Sequence, residues 1–131
     1  TEKEKQKIEQ IKSSIKVTKI WASTPNSAGG VDLYINWKNL SDKIIKYAYF
    51  TVIPYNSVND IVNCTIRHYS RFNAQDEGPY SKGQGTKGTE YYWENAWYNY
   101  SIKSVKLESV RIIYMDGTSL DIPEKYIDYI K

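Results

Sequence analysis

From Val17 onward, apolar and polar residues alternate with a period of two, the spacing that sends successive side chains to opposite faces of a strand. The cleanest stretch is Val31–Lys38, where Val31, Leu33, Ile35 and Trp37 interleave with Asp32, Tyr34, Asn36 and Lys38. It predicts a half-buried strand with Trp37 as a core anchor. Val17–Ala22 predicts a strand before it. Ile44–Ile53 predicts one after it, with Ala48, Phe50 and Val52 facing away from Tyr47, Tyr49 and Thr51. Pro54, which has no N–H for a ladder, is expected to end that strand. Ile61–Arg67 predicts another, with Val62, Cys64 and Ile66 on one face. Val105–Leu107 and Val110–Met115 read as closing strands. Asp116-Gly117 predicts a two-residue type I′ hairpin into Ser119–Ile122, because glycine accepts the positive φ such turns require.

Turn chemistry separates these runs at Asn39–Lys43 and Asn56–Asp60. Residues 68–89 are polar, with Gly78-Pro79, Gly83, Gly85 and Gly88, and predict one long loop. Loops of that length in a small domain usually carry function or are disordered. Only the start of the chain has a helical period: Ile8, Ile11 and Ile15 fall at i, i+3 and i+7, with Glu4–Lys7 and Glu9–Lys12 placed to pair. Thr1 and Glu4 can form a capping box. The expectation is a charged helical stalk over 1–14, followed by one domain over 15–131. Pro123 with Tyr126, Ile127 and Ile130 predicts a docked C-terminal helical turn. Strands without βαβ alternation give the fold class: mainly β, an antiparallel two-sheet Ig-like sandwich of seven or eight strands, with a short helix at the N-terminus and a short helical turn at the C-terminus.

Composition adds one unusual feature, 13 Tyr and 4 Trp against 2 Phe. Aromatics suit both the half-buried pleat and recognition surfaces. They concentrate between Glu90 and Ser101, so Tyr91, Trp93, Trp97, Tyr98 and Tyr100 are the candidate ligand-binding residues. Exposed, they would stack on sugar rings or bases; buried, they would cap the sandwich. Alternation puts Tyr91 and Trp93 on one face and Tyr92 on the other. The net charge of +3 is small, and Lys103, Lys106 and Arg111 form no basic stripe, so nucleic acid is not favoured.

Catalytic chemistry has little to draw on. His68 is the one histidine, and no nucleophile–base pair is evident around it. Asp76 and Glu77 are adjacent rather than across a cleft, and Gly83-Gln-Gly85-Thr-Lys-Gly88 lacks the strand-to-helix setting of a phosphate loop. The single cysteine, Cys64, rules out an internal disulfide and reads as a small buried hydrophobe. No enzyme activity, cofactor or metal is expected. Sequons at Asn39, Asn63 and Asn99 match chance for an Asn-, Ser- and Thr-rich chain. No apolar run is long enough to span a membrane.

The run Trp37-Lys-Asn39-Leu-Ser41-Asp-Lys43, then Ile45-Lys-Tyr47-Ala-Tyr-Phe50 and Pro54-Tyr-Asn56 to near Asp60, resembles small Ig-like domains of uncharacterised bacterial proteins akin to the FxLYD group. Gly78-Pro79, Trp97-Tyr-Asn99 and Val110–Gly117 extend the resemblance over about residues 15–122. Such domains sit outside the cytoplasmic membrane behind a lipoprotein signal or membrane anchor, and they carry no catalytic residues. The start at Thr1, without Met, is expected to follow a removed leader or anchor. The resemblance implies a non-catalytic binding or adaptor module of an exported or surface-anchored protein, with a protein or cell-envelope component as partner. Contacts would come from the 68–89 loop and the aromatic window. The alternatives are a carbohydrate-binding module built on that window and a structural spacer.

Overall fold

The computed structural model describes all of residues 1–131 and shows two antiparallel sheets packed face to face, with short helices at both ends of the chain. The first sheet is centred on β2 (Gly30–Asn39). Strand β1 (Ile15–Ala22) pairs along one edge of β2. Two short strands share the other edge: β5 (Gly85–Thr86) at Trp37–Lys38, and β6 (Trp93–Tyr98) at Gly30–Leu33. The second sheet runs β4 (Phe72–Tyr80), β3 (Ile45–Tyr55), β7 (Ser104–Tyr114) and β8 (Ser119–Ile122). Val31, Leu33, Ile35 and Trp37 from one sheet meet Ala48, Phe50, Val52, Val110 and Ile112 from the other in a single buried core.

The hydrophobic spacing of β2 matches what is buried, as does the Ala48, Phe50 and Val52 face of β3, although that strand starts at Ile45 with Ile44 exposed and ends with Ile53 and Pro54 buried in succession. The polar stretch 68–89 does not form one long loop, because β4 and β5 together occupy half of it. Its inward positions carry Ala74 and Asp76 rather than a row of large apolar side chains, so the alternation that marks a strand is missing. As an edge strand it also accommodates Pro79, joined to Gly78 by a cis peptide bond. The reverse correction applies at Ile61–Arg67, which is not a strand. Ile61 makes one isolated bridge to Tyr55, and the chain then turns at Thr65–Arg67. Of its apolar face only Cys64 is fully buried, and Ile66 is exposed.

Three boundaries move for physical reasons. Strand β3 continues through Pro54 to Tyr55, paired with Val105 and Ser104 of β7, because β4 pairs only as far as Val52 and needs no N–H from the proline on that edge. The two predicted closing strands are one continuous β7 with a bulge against Thr51–Val52. The turn after β7 is a three-residue loop: Tyr114 pairs with Thr118, and positive φ occurs at Gly117 but not at Asp116. A type I′ turn needs it at both central residues.

Helix α1 (Glu2–Lys12) starts as expected, with the Thr1 side chain accepting from the Glu4 N–H. It is not a free stalk. Ile11 is fully buried in the core, Ile8 packs against it, and the Tyr126 hydroxyl donates to Glu4 at 3.2 Å. Tyr126 belongs to the C-terminal 3-10 helix (Glu124–Ile130), whose Tyr126, Ile127 and Ile130 are buried as the sequence indicates. Together the two helices cover the open side of the sandwich between β1 and β7–β8.

Candidate functional site

The opposite open side, between β2 and β4, is closed by aromatic side chains and one buried carboxyl. Asp76 points inward from β4 and is fully buried without a cationic partner. The Trp37 indole N–H donates to its Oδ2 at 2.9 Å, and the Tyr80 hydroxyl donates to Oδ1 at 2.5 Å. Desolvation pushes the Asp76 carboxyl above its ordinary value, against the pull of these two donors. Burial and then the hydrogen bond to Asp76 push the Tyr80 hydroxyl up as well. Beside them, β5 lies so close to β2 that a Cβ on Gly85 would meet the Trp37 carbonyl oxygen at 1.8 Å, so only glycine fits there.

The aromatic window does not form one platform. Trp97 is fully buried, and its indole N–H donates to the Ser70 carbonyl at 2.7 Å. Trp93 is half-buried and reaches the Gln75 carbonyl of β4 at 3.2 Å. Each indole therefore ties the first sheet to β4 or the segment leading into it. Tyr91 stands edge-on to Trp93, with ring centroids 5.2 Å apart. Burial, then the Asp76 and Glu77 carboxyls, hold its hydroxyl above the usual value, as expected for a side chain leaning over β4. Tyr98 is half-buried and Tyr100 is exposed; Tyr100 donates to the Ser27 carbonyl and lies over Gly29. Alternation correctly separates Tyr91 and Trp93 from Tyr92, but the five candidates end up in three different places.

Tyr92 joins an aromatic row that the sequence pattern did not single out. On the outer face of the first sheet, Trp21 of β1 and Tyr34 of β2 are directly paired, and their rings stack at 4.9 Å with 7° between planes. Tyr92 stacks on Tyr34 from the other side at 5.2 Å, and the Lys19 ammonium lies 4.3 Å from the Trp21 ring. The available signal was Tyr34 among the polar residues of the cleanest alternating strand. Both faces of Tyr34 are covered by neighbours and Trp21 carries the Lys19 ammonium, so the row offers no continuous open face of the kind a stacked sugar or base needs. It braces the sheet.

What the fold does leave free is one end of the sandwich, where the β1–β2, β3–β4 and β6–β7 connections meet. They are cross-tied. The Asn99 amide donates to the Asn63 carbonyl at 2.8 Å, and Thr65 donates to the Tyr98 carbonyl through both its N–H and its hydroxyl. Lys103 N–H bonds the Tyr55 carbonyl, and Asn26 bonds Asn95 across to β6. The Cys64 thiol is buried within this end. Desolvation raises its value, but the Arg67 and Tyr98 N–H groups donating to the sulfur outweigh it and lower the value overall. On these loops four large apolar side chains remain in water: Val58 at 71% exposure, Ile66 at 60%, Tyr100 at 64% and Ile61 at 48%. His68, the sole histidine, is exposed on the same connection at φ 65°. No group of three or more His, Cys, Asp and Glu side chains is placed to hold a metal ion.

No protein-family model, curated protein or solved structure matches the chain. No helix is long and apolar enough to cross a membrane.

Proposed function

We propose that this protein is a non-catalytic binding module that contacts a protein partner through the loop end of its sandwich. The observation that carries this reading is the exposure of Val58, Ile61, Ile66 and Tyr100 on connections fixed by side-chain-to-backbone hydrogen bonds. Ordered loops lose little entropy on association, and exposed apolar groups on them gain from being covered. The contact region differs from the one expected from the sequence: it draws Tyr100 from the aromatic window and residues 56–71 in place of the 68–89 stretch. The assignment to an exported or surface-anchored bacterial protein, outside the cytoplasm, rests on the resemblance of the Trp37–Asp60 block to FxLYD-type domains. Covered ring faces in the Trp21–Tyr34–Tyr92 row weigh against a carbohydrate platform there.

A photo-activated cross-linker in place of Ile66, compared with one in place of Met115 at the opposite end, tests the reading in the native host. Met115 is also exposed, at 56%, so accessibility is comparable. A discrete protein adduct from position 66 and none from position 115 is expected. Equal labelling from both, or none from position 66, would sink the proposal.

A further inference from the structure

The largest cavity lies on a different surface: a cleft of about 1000 Å³ between helix α1 and the outer face of the second sheet. Its floor is built by register. Asn73, Thr51 and Ser109 are direct partners across β4, β3 and β7, and the next row holds Tyr49 beside Arg111. Adjacent strands are about 4.8 Å apart, so the first row is a line of polar side chains at that interval. The wall is basic, with Lys3 and Lys7 from α1 and Lys125 from the C-terminal helix.

The charges do not cancel. Among the lining side chains, the hydrogen bonds run from Glu4 N–H to Thr1, from Tyr126 to Glu4 and from Arg111 to Asp121. Asp121 is neutralised by Arg111, whereas Glu4 accepts only from the neutral Tyr126 hydroxyl and offsets one of the three lysines, so the cleft keeps an excess of positive charge. None of the protein's ion pairs involves Lys3, Lys7 or Lys125. Thr51, Asn73 and Ser109 likewise have unused hydrogen-bonding capacity facing the cleft.

We infer that this cleft is a binding site for an acidic saccharide. The half-buried Tyr49 ring offers an apolar surface for a pyranose. The Asn73–Thr51–Ser109 row offers donors and acceptors to its hydroxyls, and the three lysines offer cations to its carboxylate. A hydrophobic ligand would leave the polar floor unpaired, and a neutral sugar would leave the lysines unused.

The test is a titration of the intact protein with trigalacturonate, neutral galactotriose and inorganic phosphate, read by amide chemical shifts and calorimetry. Trigalacturonate is expected to bind at least tenfold more tightly than galactotriose, with shifts at Thr51, Asn73 and Ser109 and weakening as salt rises. Lys3→Gln/Lys7→Gln/Lys125→Gln should cut that affinity tenfold or more with an unchanged melting temperature. Tyr49→Ala should weaken trigalacturonate while leaving any phosphate binding unaltered. Equal binding of both sugars, phosphate binding as tight as trigalacturonate, or no shift at the three floor residues overturns the inference.

Discussion

Replacing Tyr80 with Phe removes one hydroxyl and little else, and its consequence follows from Asp76. The carboxyl is fully buried, has no cation, and accepts hydrogen bonds from Trp37 and Tyr80. A hydrogen bond to a charged group contributes about 1.5–3 kcal/mol, so Tyr80→Phe should destabilise by that amount near neutral pH. With about 4 °C per kcal/mol for a domain of this size, melting should fall by roughly 6–12 °C. Asp76→Asn keeps an acceptor for the indole but removes the charge. In that background the Tyr80→Phe cost should shrink to about 0.5–1.5 kcal/mol, the range for neutral pairs.

The same pair fixes the pH dependence. Asp76 titrates above its unfolded value because desolvation outweighs its two donors. Its contribution to stability is therefore complete below the unfolded value of 3.8 and is lost as pH rises through the raised folded value. Removing the Tyr80 donor raises that folded value further. The Tyr80→Phe penalty should thus be larger at about pH 7.5 than at about pH 4. Urea denaturation of the four proteins of the double-mutant cycle at both pH values measures this. A penalty that is independent of pH, or that is the same with and without the Asp76→Asn substitution, would refute the reasoning.

The docked helix makes Ile11→Ala costly, by about 2–5 kcal/mol in urea denaturation; a change below about 0.5 kcal/mol would restore the free stalk. Acrylamide quenching should divide the tryptophans: with Trp37 2% exposed and Trp97 fully buried, Trp21→Phe/Trp93→Phe should leave blue-shifted emission that resists quencher. Red-shifted, readily quenched emission from that variant would mean the sandwich is open. Although its titration is lowered, Cys64 is sealed from solvent, so a disulfide reagent should modify it only as fast as the protein opens. Rapid labelling under native conditions contradicts that placement.

Strands β2 and β3 were legible in the sequence because one face is buried in large apolar side chains and the other is wet, the condition that makes alternation visible. Strand β4 was not, since its inner face holds Ala74 and a carboxyl whose partners lie 39 residues back and four residues on. Nothing local announces such a site. Ile61–Arg67 failed in the opposite way: its apolar alternation is real, but Thr65 is stitched to Tyr98 and the chain turns there. The aromatic window showed its composition but not its destinations, because those depend on pairing register. Asn95, at positive φ with its N–H bonded to Asp32, sits in an irregularity of β6 through which Trp93 and Trp97 stay opposite the inward-facing Leu33 and Val31. The Trp21–Tyr34–Tyr92 row likewise needs two strand registers at once.

The central functional claim is that a protein partner is bound at the loop end while the aromatic rows brace the sandwich. Its most direct test is the affinity of the partner cross-linked from position 66 for two sets of variants. Val58→Ser/Ile61→Ser/Ile66→Ser should raise Kd by about 30-fold or more, the loss of roughly 2 kcal/mol expected when central apolar contacts are removed, without lowering the melting temperature by more than a few degrees. Trp21→Ala/Tyr92→Ala should lower the melting temperature and leave Kd unchanged. If the aromatic-row variants abolish binding while the loop variants bind normally, the recognition surface lies on the sheet face and the account is wrong.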